Sequence, residues 1–362
     1  MQGTAFSRME WKSINLMKKL AQVQTAISFL PKCKWMDIIS NGLKDGVWER
    51  NGRRKPHTLQ TKFILLGFST LPRLQHLLLS VFLLSYLITV TGNLLIIPLT
   101  LAYPALHTPM YFFLRNLSFL EICYTSVTIP KMLAHLLSED KTISFIGCAV
   151  QTYFSFFLGV SECFLLVSMA YNRHVAICKP LRYPVVMNRK VSTGMAAASW
   201  LTGLLLSFRQ TSVVFTLPFC RSHEINHFFC DIPPLLKLAC GDTSRNEIAV
   251  FMVALFFVSF PFVLILMSYI SIISTILKMP SRAGRRKSFS TCSLHLMVVM
   301  LFYGSGAIMC LKPNSSYYQA TDKFLSLSYM VLTPMLNPII YSLRNKEVKG
   351  AFWRIMGRKR VC

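Results

Sequence analysis

Acidic side chains are scarce in this sequence. Its 362 residues include 14 Asp+Glu against 39 Lys+Arg, and charged residues of both signs make up only 15% of the chain. An ordinary soluble domain carries ~25%, so a water-facing globule of this length is excluded. The net charge of +25 would suit a nucleic-acid binder, but a binding surface of that kind must be solvated, and 53% of the residues are hydrophobic. Disorder fails because the chain holds 27 Phe and 13 Tyr among long aliphatic tracts. Also missing are a Walker loop and a G-x-S-x-G elbow, two common marks of catalysis. A chain with this balance is a membrane protein whose few charges sit outside the bilayer.

Crossing the hydrocarbon core takes ~20 apolar residues in a helix. Residues 77–100, 248–277, 288–311 and 324–343 are runs of 24, 30, 24 and 20 residues without a single Asp, Glu, Lys or Arg. Three further stretches are as apolar but carry isolated charges: 110–129 with Arg115 and Glu121, 149–171 with Glu162, and 195–219 with Arg209. Ionisable groups inside a span face a bundle interior or a wet cavity, so these also read as spans. No stretch alternates with period two, which excludes a β-barrel. The expectation is an all-α membrane protein, a bundle of seven transmembrane helices.

Loop charges orient it. The loops after helices three (173–190) and five (278–287) hold five Lys/Arg each and no acid, and the tail after helix seven holds seven with Glu347. The intervening loops carry as many acids as bases within one charge, so the basic side is cytoplasmic and the N-terminus extracellular. Three regions follow: a basic, polar N-terminal leader over 1–72 read as disordered, a seven-helix bundle over 73–345, and a short cytoplasmic tail over 346–362. The leader shows no apolar stretch fit for a cleaved signal, so the first span is expected to act as signal anchor. Short amphipathic helices are expected around 14–30 and over 344–356, the latter lying on the membrane.

Of eleven Cys, four fall on the outer side: Cys148, Cys220, Cys230 and Cys240. An even external set reads as two disulfides, with three connectivities open from spacing alone. Between two of these cysteines, His223-Glu224-Ile225-Asn226-His227 fits H-E-x-x-H. That zinc chemistry needs both His on one helical face, and a loop flanked by Pro218, Pro233 and Pro234 is a poor place for a helix. The match is read as a coincidence, with no structural metal and no catalysis.

The polar residues inside spans are more informative. Asn93, Glu121, Glu162 and Asn337 occur singly in four helices. Buried carboxylates are costly, so they should converge on each other, on water or on a cation; an allosteric Na+ or a shared proton between Glu121 and Glu162 is the sharpest expectation. No other cofactor is implied. At the end of helix three stands Tyr171-Asn172-Arg173-His174, where Arg can snorkel to the interface. In helix seven Pro338 follows Asn337 and Tyr341 lies three residues on; the proline frees a carbonyl and places a hinge there.

These residues, taken with others, are specific. They include Phe63-Ile64-Leu65-Leu66-Gly67-Phe68, Gly92-Asn93, Leu106-His107-Thr108-Pro109-Met110-Tyr111, the stretch 169–178 followed by Pro180-Leu181-Arg182-Tyr183, Lys287-Ser288-Phe289-Ser290-Thr291-Cys292-Ser293, and 334–345. From about residue 63 to 349, some four-fifths of the chain, the sequence resembles the olfactory receptors, rhodopsin-like class A G-protein-coupled receptors. The resemblance implies a cell-membrane, multi-pass receptor without enzymatic activity. It would bind a small volatile odorant, activate a heterotrimeric stimulatory G protein of the olfactory type to raise cAMP, contact membrane lipid and bind no nucleic acid. It pairs Cys148 with Cys230 and Cys220 with Cys240. It places the ligand among Ser155, Phe156, Gly159, Val160, Gly306, Ala307 and Cys310, with Tyr303 as a switch beneath. It assigns coupling and activation to Asn172, Arg173, His174, Asn337, Pro338 and Tyr341.

Three departures stand out. Asn172-Arg173-His174 replaces the family's usual Asp-Arg-Tyr, which implies raised basal signalling or weakened coupling. The usual N-terminal glycosylation sequon is absent, and the one loop sequon, at Asn314, lies close to the membrane. Arg115 and Arg209 stand where small or polar residues are common, which would burden folding or export. Two other readings compete: a membrane transporter, which should show inverted repeats, and a non-signalling receptor-like protein held in the endoplasmic reticulum. A retinal photoreceptor is disfavoured, because 324–343 contains no Lys for a Schiff base.

Overall fold

The structure is a computed structural model that describes residues 61–67, 74–219, 223–240, 244–311, 327–343 and 350. The expectations for 14–30, 344–356, Cys220 and Asn314 fall outside these residues. Helices dominate: α1 (Gln75–Ala102), α2 (Pro109–Leu137), α3 (Phe145–Cys178), the short α4 (Tyr183–Val186), α5 (Arg189–Phe215), the short α6 (Ile232–Leu236), α7 (Ser244–Lys278), α8 (Arg282–Leu311) and α9 (Thr333–Leu343), the last entered through a π-helical turn at Ser328–Leu332. Four are long and apolar enough to cross a membrane, namely α1, α3, α5 and, over Asn246–Lys278, α7. α2 and α8, of 29 and 30 residues, cover the expected apolar stretches 110–129 and 288–311. The chain is an all-α, largely membrane-spanning bundle.

The local sequence explains where these helices start. Pro109 opens α2 at a position where a missing N–H costs nothing. The Ser144 hydroxyl accepts from the Gly147 N–H at 3.0 Å to cap α3, and Asn188 Oδ1 accepts from the Val191 N–H at 2.9 Å to cap α5. Within the spans, hydroxyls are satisfied on their own helix: Thr89 bonds the Ser85 carbonyl, Thr125 that of Glu121 and Ser161 that of Phe157, each at 2.8 Å. That is how a polar side chain survives without water. Outward faces are apolar. Leu84, Leu205, Met267 and Ile270 are each at least 60% exposed, an arrangement that suits lipid and not water.

α3 is the hub, packed against α2, α5, α7 and α8. Its contact with α5 depends on Gly203, since a Cβ there would lie 2.2 Å from Ser161 Oγ and 2.7 Å from the Phe157 carbonyl. α1 meets α9 in the same way, with Gly92 against the Pro338 ring. Arg115 lies over the Phe112 ring at 5.6 Å, and Arg209 is exposed on the outer face of α5.

One end of the bundle is closed by a small sheet in the order β2-β1-β3, built from β1 (Lys62–Leu65), β2 (Thr142–Ser144) and β3 (Glu224–Ile225). β1 runs antiparallel to β2 with Phe63 opposite Ile143, and parallel to β3 with Leu65 opposite Ile225. Phe63 and Leu65 are buried among Ile143, Val214, Phe215 and Leu235. Residues 62–65 alternate exposed and buried, so Phe63 and Leu65 add to the apolar face of this cap.

Candidate functional site

The candidate residues of α3 lie in four layers along its axis. In the outermost, Cys148 is bonded to Cys230 with their Cα atoms 5.4 Å apart. Cys240 is also disulfide-bonded. Gln151 ties this layer together, donating to the Val127 carbonyl of α2 and accepting from the Cys230 N–H, while the Thr152 hydroxyl donates to the Cys230 carbonyl. H-E-x-x-H lies here as well, and Glu224–Ile225 is strand, so the two His do not share a helical face. Nearby, Asp231 caps α6 by accepting from the Ile232 N–H at 2.8 Å, and burial pushes its carboxyl up to about 6.

One turn below stand the ligand candidates of α3. Among the described residues the Ser155 hydroxyl is buried without a hydrogen-bond partner, and no atom lies within 4 Å of where a Cβ on Gly159 would be. Phe156 packs against the outer apolar cluster instead, and Val160 is buried. Gly306, Ala307 and Cys310 belong to α8, but their side chains fall outside what the structure describes. Ser155 and Gly159 lie one turn apart on α3, and Phe156 is partly buried against the outer cluster.

The middle layer is polar. Tyr303 is 2% exposed, its ring 5.5 Å from that of Phe262, and its hydroxyl donates to the Cys163 carbonyl at 3.1 Å. Beside it Glu121 is fully buried: Oε2 accepts from Asn93 Nδ2 at 2.9 Å and Oε1 accepts from Asn337 Nδ2. One carboxyl group therefore joins α1, α2 and α9. Glu162 is close enough for its charge to act on Glu121. Glu162 Oε1 and Asn337 Oδ1 are buried acceptors with no donor among the described residues. Hydrogen bonds thus join Asn93, Glu121 and Asn337.

In the inner layer Asn172 is buried, accepts from the Tyr183 hydroxyl at 3.0 Å and donates to Met110 Sδ at 3.6 Å. Burial pushes the Tyr183 phenol up, opposed by the Arg173 charge and by its bond to Asn172. Arg173 Nε and His174 Nδ1 have no hydrogen-bond partner among the described residues. His174 stacks on Tyr171 with ring centroids 6.4 Å apart. Pro338 is buried in α9, and the Tyr341 side chain falls outside what the structure describes.

Two contacts here escape sequence reasoning. The Tyr269 hydroxyl meets His295 Nδ1 at 2.7 Å, joining α7 to α8, and His295 is fully buried. Cys178 Sγ lies 3.2 Å from the Thr275 hydroxyl, joining α3 to α7. A polar inventory of the spans that included histidine as well as Asp, Glu and Asn would have found His295. Nothing in the sequence marks Cys178.

Comparison with known proteins agrees with this arrangement. A family model described as olfactory receptor matches residues 82–359. Olfactory receptor 10A5 of Homo sapiens is 56% identical over 295 residues, covering 81% of this chain and 93% of its own length. Olfactory receptor 10A7 of Homo sapiens is 54% identical over 303 residues, covering 84% and 96%. Olfactory receptor 10A2 of Homo sapiens is 55% identical over 294 residues, covering 81% and 97%.

Proposed function

The chain belongs to the olfactory receptor family of multi-pass, rhodopsin-like receptors, and from that premise we propose that it binds a small volatile odorant in the outer half of its bundle and activates a stimulatory G protein, raising cAMP. Members of this family are receptors and not enzymes, and they reside in the cell membrane. The proposed topology has seven spans, an extracellular N-terminus and a cytoplasmic C-terminus, because the loops after α3 and α7 hold five Lys/Arg each and no acid and so belong on the cytoplasmic side.

One observation carries the reading: a single helix holds the opening and the coupling residues. Ser155 lies in the first half of α3 with Gly159 one turn further on, and Arg173 lies in its last turns; Ser155 and Arg173 are about 27 Å apart at the α-helical rise. An opening lined by glycine and one hydroxyl unpaired among the described residues suits a weakly polar ligand of modest size. Between the two ends, Tyr303 clasps the α3 backbone. A ligand that binds more tightly when that clasp is rearranged shifts the population of bundle arrangements, and Arg173 with the basic loops is then exposed to the G protein. The unmatched acceptors around Glu121 fit a proton or a sodium ion as the element that weights the two arrangements.

The test is a cAMP reporter assay against an odorant panel, with surface staining of the same cells. A response abolished by Arg173→Ala but not by a conservative change at an outward-facing residue supports the assignment. Surface expression with no response to any odorant would favour the silent, receptor-like alternative. The transporter reading is set aside by the family assignment.

A further inference from the structure

A groove runs between α7 and α8 on the outside of the bundle, at the end where the two helices are joined. Tyr269, Ile273 and Ile276 form one wall and Phe289, Cys292 and Met297 the other, around a cavity volume of about 260 Å³. Phe289 and Met297 are more than 40% exposed, so the groove opens outward to lipid. From Phe289 to Met300, its last residue on α8, the groove extends about 16 Å along the axis, close to the thickness of one leaflet's hydrocarbon, about 15 Å.

The mouth of this groove is charged. Residues 278–287, which join the two helices, contain five Lys/Arg and no acid. Lys278, Arg282 and Arg286 are exposed, while Arg285 is turned back to the Met279 carbonyl at 2.9 Å. A positive rim at the headgroup level over an apolar slot one leaflet deep is complementary to one class of molecule. We propose that this groove is a binding site for an anionic glycerophospholipid, with one acyl chain between α7 and α8 and the headgroup phosphate on Arg282 and Arg286. The slot gives the chain its place, and the basic rim selects the charge. The site is distinct from the odorant opening at Gly159. Its back wall includes Tyr269, the partner of His295, so a seated chain touches the contact that holds α7 to α8.

The experiment uses full-length receptor in nanodiscs of phosphatidylcholine containing a trace of phosphatidylserine or phosphatidylcholine with a photoactivatable acyl chain, and maps the labelled residues by mass spectrometry. Nanodiscs present lipid to both faces, so the result does not depend on the proposed topology or on odorant signalling. Label from phosphatidylserine should concentrate on the groove residues, and label from phosphatidylcholine should not. Arg282→Gln and Arg286→Gln, both at exposed positions, should reduce the phosphatidylserine label by about fivefold for each charge removed. Met297→Trp should block the slot and move the label away while the rim stays intact. Equal labelling of the groove by both lipids, or phosphatidylserine label spread evenly over other outward faces such as Leu201 and Leu205, would overturn the proposal. So would cross-linking of a second receptor copy across the groove.

Discussion

The Tyr183 hydroxyl donates to Asn172 Oδ1 at 3.0 Å, and that neutral bond stands beside an arginine whose Nε has no partner among the described residues. An amide at 172 can hold Tyr183 but cannot balance the adjacent positive charge. Asn172→Asp keeps the bond to Tyr183 and adds a carboxylate within reach of Arg173. Hydrogen bonds to a charged group contribute ~1.5–3 kcal/mol, so the quiet arrangement should gain on the order of tenfold in population. Basal cAMP in the absence of odorant should fall accordingly. An unchanged basal level at equal surface expression would count against this account of Arg173.

Among the described residues, Glu121 is the group that bonds both Asn93 and Asn337. Glu121→Ala leaves two buried amides without their acceptor, each costing ~1–3 kcal/mol, and thermal unfolding in detergent should drop by several degrees. Glu121→Gln is milder because one acceptor oxygen remains. Glu162→Gln should leave folding intact and remove any dependence of odorant potency on sodium, since Glu162 Oε1 is one of the buried acceptors without a donor among the described residues. Potency measured across sodium concentrations in wild type decides whether an ion is involved at all; a flat response there leaves the proton as the occupant.

Two glycines of the bundle should respond in opposite ways. Gly203→Ala places a methyl 2.7 Å from the Phe157 carbonyl, a backbone atom that cannot turn aside. Overpacking of this kind costs about 1–3 kcal/mol, and surface expression should fall. Gly159→Ala meets nothing within 4 Å among the described residues, so expression should hold while the ranking of odorants changes. A loss of expression at Gly159 with none at Gly203 would contradict the packing described for α3 and α5.

The bundle is legible because hydrocarbon imposes a strong constraint: a span must be long and apolar, and each intramembrane Asn or Glu must find a partner. For that reason Asn93, Glu121, Glu162 and Asn337 group together on sequence alone. The cap is not legible in this way. Phe63 and Leu65 alternate with Lys62 and Ile64 over only four residues, too short a pattern to separate from a tail, and their partners Ile143 and Ile225 are 80 and 160 residues away in register. The neighbours of Phe156 are illegible for a related reason: the outer apolar cluster it packs against is assembled largely from β1, the β3 loop and α5.

The cap yields a truncation test. A chain beginning at residue 61 retains β1, whereas one beginning at 68 exposes the apolar surface now covered by Phe63 and Leu65, which are 0% and 1% exposed. Each such side chain contributes about 1.5–3 kcal/mol through burial. The longer chain should reach the surface at a level set by the leader's role in export, and the shorter one should fall well below it. Equal expression of the two would mean that β1 is dispensable.

Acidification should stabilise the same cap. The Asp231 carboxyl is pushed up to about 6 from its ordinary value of 3.8, with burial as the cause and its bond from Ile232 opposing it. The folded loop therefore binds a proton more tightly than the unfolded chain does, and its stability falls as pH rises between those two values, remaining low above about 6. Asp140 works in the opposite sense: bonds from Thr142 hold its carboxyl below the usual range, and its contribution is lost only as pH falls through that lowered value. A comparison of about pH 5 with about pH 7.5 thus isolates Asp231 from Asp140. Hydrogen exchange over residues 224–239 should be slower at the lower pH after correction for intrinsic rates. Because Asp231 is only half-buried, solvent screening keeps the change modest. Asp231→Asn retains an acceptor for the Ile232 N–H and should abolish the difference; a pH response that persists in this variant would overturn the assignment to Asp231.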